Sequence, residues 1–146
     1  HVDDEVLGCG GILDSSFHVA HLGLAKNSLH GTTNYSCEER LQEFSLVLKE
    51  LNITDHTLLK HQVNNYKQQD LIPDIEALIN STKPSEIYIP HPSYNQDHRA
   101  TYEACLIALR PHDLNYFVKR VFGYEQPQCS YGIIIIAYLT QLTSSK

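Results

Sequence analysis

Two spacings of apolar residues run along this chain and set its predicted elements. Residues 17–24 (FHVAHLGL) are rich in apolar positions that alternate, the mark of a strand. From Ser36 the period lengthens. Leu41, Phe44, Leu48 and Leu51 recur at helical spacing, Ser36 is placed to cap the N-terminus, and Glu38 and Glu39 fall in the favourable first turn. A second helix is predicted over 70–80, with Ile72, Ile75, Leu78 and Ile79 on one face, Pro73 near its start and Pro84 as its stop. Residues 86–90 (EIYIP) form a compact strand and 98–109 a third helix, with further short strands at 56–59 and 118–124. Between them lie a glycine-rich turn leading into a short helix over 4–13, and polar loops at 26–35 and 91–97.

Strands that alternate with helix-length segments imply crossover connections and a mostly parallel sheet with helices on both faces. The chain is thus expected to be one α/β domain over 1–146. Ligands of such sheets bind at the carboxyl ends of the strands, where the strand-to-helix loops lie. Residues 1–11 and 91–98 both fall on loops of that kind.

Composition narrows the class. Hydrophobic residues at 42% and charged residues at 19% describe a soluble globular protein. A net charge of -6 argues against a nucleic-acid binder, which needs a basic face. Cys9, Cys37, Cys105 and Cys129 contain no CxxC pair, so reduced thiols and a cytoplasmic setting are expected. The first residues read as neither a signal peptide nor a lipidation motif. Sequons at Asn34, Asn52 and Asn80 would count only in a secretory setting. The apolar run 133–139 falls well short of the roughly 20 residues of a membrane-spanning helix and is a candidate strand.

Two segments carry candidate chemistry. In His1-Val2-Asp3-Asp4-Glu5, His1 and Asp4 stand three apart and would face one point if the chain turns into a helix there. Asp3 would then point elsewhere, able to accept a proton. The same acidic stretch also suits a solvated helix N-terminus. In Pro90-His91-Pro92-Ser93-Tyr94-Asn95-Gln96-Asp97-His98-Arg99, His98 can supply a third metal ligand, and Asp97 can orient a histidine by hydrogen bond. Read alone, that pair is a helix cap beside an exposed histidine.

Together, HxDDE and PHP-x(4)-DH on an α/β pattern resemble the PIG-L/LmbE-like family of metal-dependent N-deacetylases. The likeness extends through RLQEFSLVLKELNI, KPSEIYIPHPSYNQDHRATYEACLIALRP and YEQPQCS, the last two matching a subgroup with NxDHR, A-x-RP and YExP motifs. The resemblance implies a Rossmann-like, LmbE-like fold and a zinc-dependent amidohydrolase that removes acetyl from an N-acetylglucosamine-type sugar or conjugate. By family role, His1, Asp4 and His98 would hold Zn2+ or another divalent ion, and Asp3 would be the general base. Tyr94 is a candidate oxyanion donor. Arg40, in an RxxE pattern with Glu43, is a candidate substrate contact, against the alternative of a surface ion pair with a neighbouring glutamate.

The chain departs from the family pattern in several places. Val2 replaces the usual proline, and Asn95 stands where many members carry a histidine that protonates the leaving amine. Gly23-Leu24-Ala25 replaces a Thr-Asp-Gly segment. His91 has no matched role, and His18, His21, His30, His56, His61 and His112 are expected on the surface or in packing. The family also places a buried strand ahead of the first histidine and further strands after YExP, so the chain reads as a fragment incomplete at both ends. A catalytically inactive remnant that binds sugar or a partner is the alternative function.

Overall fold

The computed structural model describes residues 4–23, 37–110, 117–126 and 140–141. The chain forms two compact units, His1–Asn65 and Tyr66–Lys146.

The first unit begins with helix α1 (Asp4–Cys9), followed by strand β1 (Val19–His21), helix α2 (Cys37–Glu50) and strand β2 (His56–Leu58). Helix and turn in the 4–13 segment come in the reverse of the expected order. Asp4 and Glu5 occupy the first helical turn, where the exposed N–H groups favour carboxylates, and the glycines follow. Gly10 donates its N–H to the Val6 carbonyl across 2.9 Å. A Cβ at Gly10 would meet that oxygen at 2.5 Å, so the turn closing α1 needs a residue without one.

β1 is shorter than the 17–24 span predicted and pairs in parallel with β2, Val19 against His56 and His21 against Leu58. Bonds from Val19 N–H to the Asp55 carbonyl and from Leu59 N–H to the His21 carbonyl extend the ladder beyond both strand ends. α2 forms as predicted and buries Phe44 and Leu48 against Val19 and Ile53, with Leu13 and Leu51 at the edge of this core, whereas Leu41 of the predicted face is exposed. The Ser36 cap lies outside the described residues.

The second unit contains helix α3 (Gln68–Thr82), strand β3 (Glu86–Pro90), helix α4 (Gln96–Ala108), strand β4 (Arg120–Tyr124) and strand β5 (Thr140–Gln141). α3 starts two residues before the predicted 70, so Pro73 sits inside the helix. Its end is set by Lys83 in a left-handed conformation, whose N–H donates to the Ile79 carbonyl across 2.8 Å. Leu71, Ile75 and Ile79, spaced by one turn, are buried, as are Ala104, Cys105 and Ala108 of α4, and these two helices pack together.

β3 and β4 are parallel, Glu86 opposite Arg120 and Tyr88 opposite Phe122. The Tyr88 and Phe122 rings stack with centroids 4.8 Å apart, and Arg120 pairs with Glu86. Ile89, on the other face, is fully buried. β5 adds antiparallel to β4, and the isoleucine run that precedes it lies outside the described residues. Among the described residues, the strands thus form one two-stranded sheet in the first unit and one three-stranded sheet in the second, parallel except at β5.

Candidate metal centre

Asp4 opens α1 half-buried, and Glu5 beside it is buried. The Glu5 carboxylate reaches β1, where its Oε2 lies 3.1 Å from Nε2 of His21. The His21 ring meets the edge of Phe44 with centroids 4.4 Å apart and planes at 69°. One turn along α1, burial and the nearby Glu5 charge push the Cys9 thiol up to about 12. His1 and Asp3 lie outside the described residues. Of the residues predicted there to hold the metal or act as base, Asp4 is the one whose placement is described.

In the second unit, the site-bearing loop leaves the carboxyl end of β3. His91 continues the sheet ladder by donating its N–H to the Tyr124 carbonyl across 2.8 Å, while its exposed ring tilts against Tyr102. The chain then turns through Ser93. Its hydroxyl accepts the Asn95 N–H at 3.1 Å and lies 3.1 Å from Nδ1 of His98. Asn95 is the true helix cap, its side chain accepting the Asp97 N–H across 2.8 Å. α4 therefore starts at Gln96, two residues earlier than predicted, and Asp97 and His98 sit within its first turn.

That early start turns both residues inward. Asp97 is 0% exposed and His98 6%, so the expectation of a cap beside an exposed histidine does not hold. Asp97 Oδ1 accepts the backbone N–H of Tyr66 across 3.1 Å. A buried carboxylate oxygen needs such a donor in place of the water it has lost. A buried imidazole held at Nδ1 has a fixed ring plane, the arrangement used by metal-binding histidines.

Of the remaining candidates, one is exposed and one half-buried. Tyr94 is 64% exposed. Arg40 pairs with Glu43 across 2.8 Å, one turn further along α2, which is the ion-pair alternative foreseen from the sequence. Among the described residues, no group of three or more His, Cys, Asp or Glu side chains is placed to hold a metal. The donors that are described, one carboxylate at the start of α1 and one buried imidazole in α4, are nonetheless the oxygen and nitrogen types that zinc takes.

The sequence reading missed the partners of these residues. His21 was expected on the surface or in packing; it does pack, and it also faces a buried carboxylate. A signal existed in the alternation of 17–24, which places a histidine two residues after Val19 on the same inward face. Nothing in the spacing of Ser93 five residues ahead of His98 marked it as that ring's partner.

Comparison with known proteins agrees with the motif reading. The family model for GlcNAc-PI de-N-acetylase, PIG-L, matches residues 1–109. No curated protein matches significantly. Among solved structures, the chain is similar to a conserved protein of Thermus thermophilus, with a TM-score of 0.69 and 20% identity over 87% of this chain and 63% of that one. It is also similar to the N,N'-diacetylchitobiose deacetylase of Pyrococcus horikoshii, with a TM-score of 0.69 and 18% identity over 85% of this chain and 57% of that one. At these identities the likeness is one of fold. The chain spans less than two thirds of the length of either structure.

Proposed function

The chain belongs to the PIG-L family of GlcNAc-PI de-N-acetylases, and from that premise we propose that it serves the hydrolysis of the N-acetyl group of an N-acetylglucosamine-type sugar or conjugate. His1, Asp4 and His98 hold a divalent metal, zinc by donor chemistry. When bound, zinc supplies a water of lowered pKa and polarises the amide carbonyl.

The protein's own groups do the rest. Asp3 takes the proton of the attacking water. The C–N bond then breaks, acetate leaves and the sugar amine takes up a proton. Asp97 supports the first turn of α4 and with it His98. With the His98 Nδ1–H donating to Ser93, the lone pair for the metal lies on Nε2. Tyr94, exposed on the loop between β3 and α4, reaches the substrate carbonyl oxygen as it becomes an oxyanion. Arg40 contacts the sugar by exchanging Glu43 for a substrate oxygen.

His98 is the observation that carries this reading: a buried imidazole, fixed by Ser93, just past the carboxyl end of a parallel strand. Acetate release from N-acetylglucosamine and its conjugates, set against non-sugar acetamides, tests it. The wild-type chain with zinc is expected to deacetylate the sugars, and Asp3→Asn is expected to lose this activity while keeping its metal. Zinc-loaded protein that releases no acetate from any amino sugar would leave only the binding remnant.

A further inference from the structure

We infer that His21 is a positioning residue which, through Glu5, fixes Asp4 in the geometry that binds metal. This inference rests on the proposed role of Asp4.

The position calls for a different residue. Val19 and His21 face inward from β1, and both are buried. An inward strand position beside an apolar core takes an aliphatic side chain unless a polar one has a partner. The group beside it is the Glu5 carboxylate, whose Oε2 lies 3.1 Å from Nε2 without the alignment of a hydrogen bond, with both side chains almost wholly removed from solvent.

The ring itself is held from α2. Phe44, the most deeply buried aromatic residue of the first unit, meets His21 edge-on at 4.4 Å and His56 edge-on at 5.6 Å. Contact therefore runs from α2 through the His21 ring to the Glu5 carboxylate, and Glu5 is covalently next to Asp4.

α1 needs such an anchor. Six residues are too few for a helix to hold its own geometry in water, so its orientation comes from tertiary contacts. Cys9 anchors the last turn by burial, and Glu5 anchors the first. Stability alone gives no reason for a buried polar anchor, because well-packed apolar residues of similar volume usually serve as well or better. What the pair adds is direction: it fixes where the first turn points, and hence where the Asp4 carboxylate lies.

Zinc affinity of the metal-free protein, measured by competition with a chromophoric chelator, and the thermal midpoint together test this. The double variant Glu5→Leu with His21→Leu replaces the pair by apolar volume. It is expected to melt within a few degrees of wild type and to bind zinc about 10- to 100-fold more weakly. His21→Gln, which keeps a donor toward Glu5, is expected to stay within about threefold of wild-type affinity on the same argument. Unchanged zinc affinity in the double variant overturns the inference, and so does a double variant that fails to fold, since the pair would then be a stability element. A wild-type protein that takes up no zinc would instead overturn the proposed function.

Discussion

The backbone N–H of Tyr66 donates to Oδ1 of Asp97 across 3.1 Å, tying the segment that leads into α3 to the first turn of α4. Asp97 is fully buried, so the bond is shielded from water. Asp97→Ala would leave a donor without its acceptor and is expected to destabilise the protein by about 1.5–3 kcal/mol. Asp97→Asn keeps an oxygen in place and is expected to cost less. Urea unfolding of the two variants beside wild type gives the order directly.

Ser93 holds the His98 ring, and the same hydroxyl accepts the Asn95 N–H in the turn before α4. Its side-chain oxygen lies 3.1 Å from Nδ1 of a ring that is almost fully buried. Ser93→Ala is expected to leave the unfolding midpoint close to wild type and to weaken zinc binding by about tenfold or more, because the ring loses its orienting partner. Ser93→Thr keeps the hydroxyl and is expected to restore most of the affinity. Chelator competition on the three proteins measures both effects.

Where the sequence was legible, one physical signal dominated. The helical period located α2 and α3, but not every position of each face: Phe44 and Leu48 are buried while Leu41 is exposed, and in α3 Leu71 is buried with Ile75 and Ile79 where Ile72 and Leu78 were expected. Element ends were read less well, because they depend on single hydrogen bonds. Asn95 captures the Asp97 N–H and starts α4 early, and Lys83 in a left-handed turn ends α3 after Thr82. The two motif segments were legible as chemistry, since HxDDE and DH are unusual combinations. Their supports were not, because Glu5 meets His21 across 16 positions of sequence and Asp97 meets Tyr66 across 31. Pairing at that range is decided by the fold.

Phe44 joins α2 to both strands of the first unit through the rings of His21 and His56. Phe44→Ala removes a fully buried ring and is expected to cost about 3–5 kcal/mol, while Phe44→Leu is expected to cost less than half as much. Denaturant unfolding with an unchanged slope would attribute the loss to packing.

The thiols give a pH signature. Burial, reinforced by the Glu5 charge, holds Cys9 up to about 12, and burial alone does the same for Cys105. The folded state thus binds these protons more tightly than the unfolded chain. Their contribution is complete below the unfolded thiol pKa of about 8.5 and is lost as pH climbs from there toward about 12. Stability is expected to fall across that window, and less steeply in Cys105→Ala than in wild type. Near pH 8, alkylation is expected at half-buried Cys37 well before Cys9 or Cys105, which peptide mapping would resolve.

Zinc content per chain, measured on purified wild-type protein, Asp4→Ala and His98→Ala at neutral pH, tests the central claim most directly. One ion per wild-type chain, lost in both variants, is the predicted result, because HxDDE and the Asp97-His98 pair are read as parts of one metal site. Wild-type protein without zinc, or variants that keep a full ion, would contradict it.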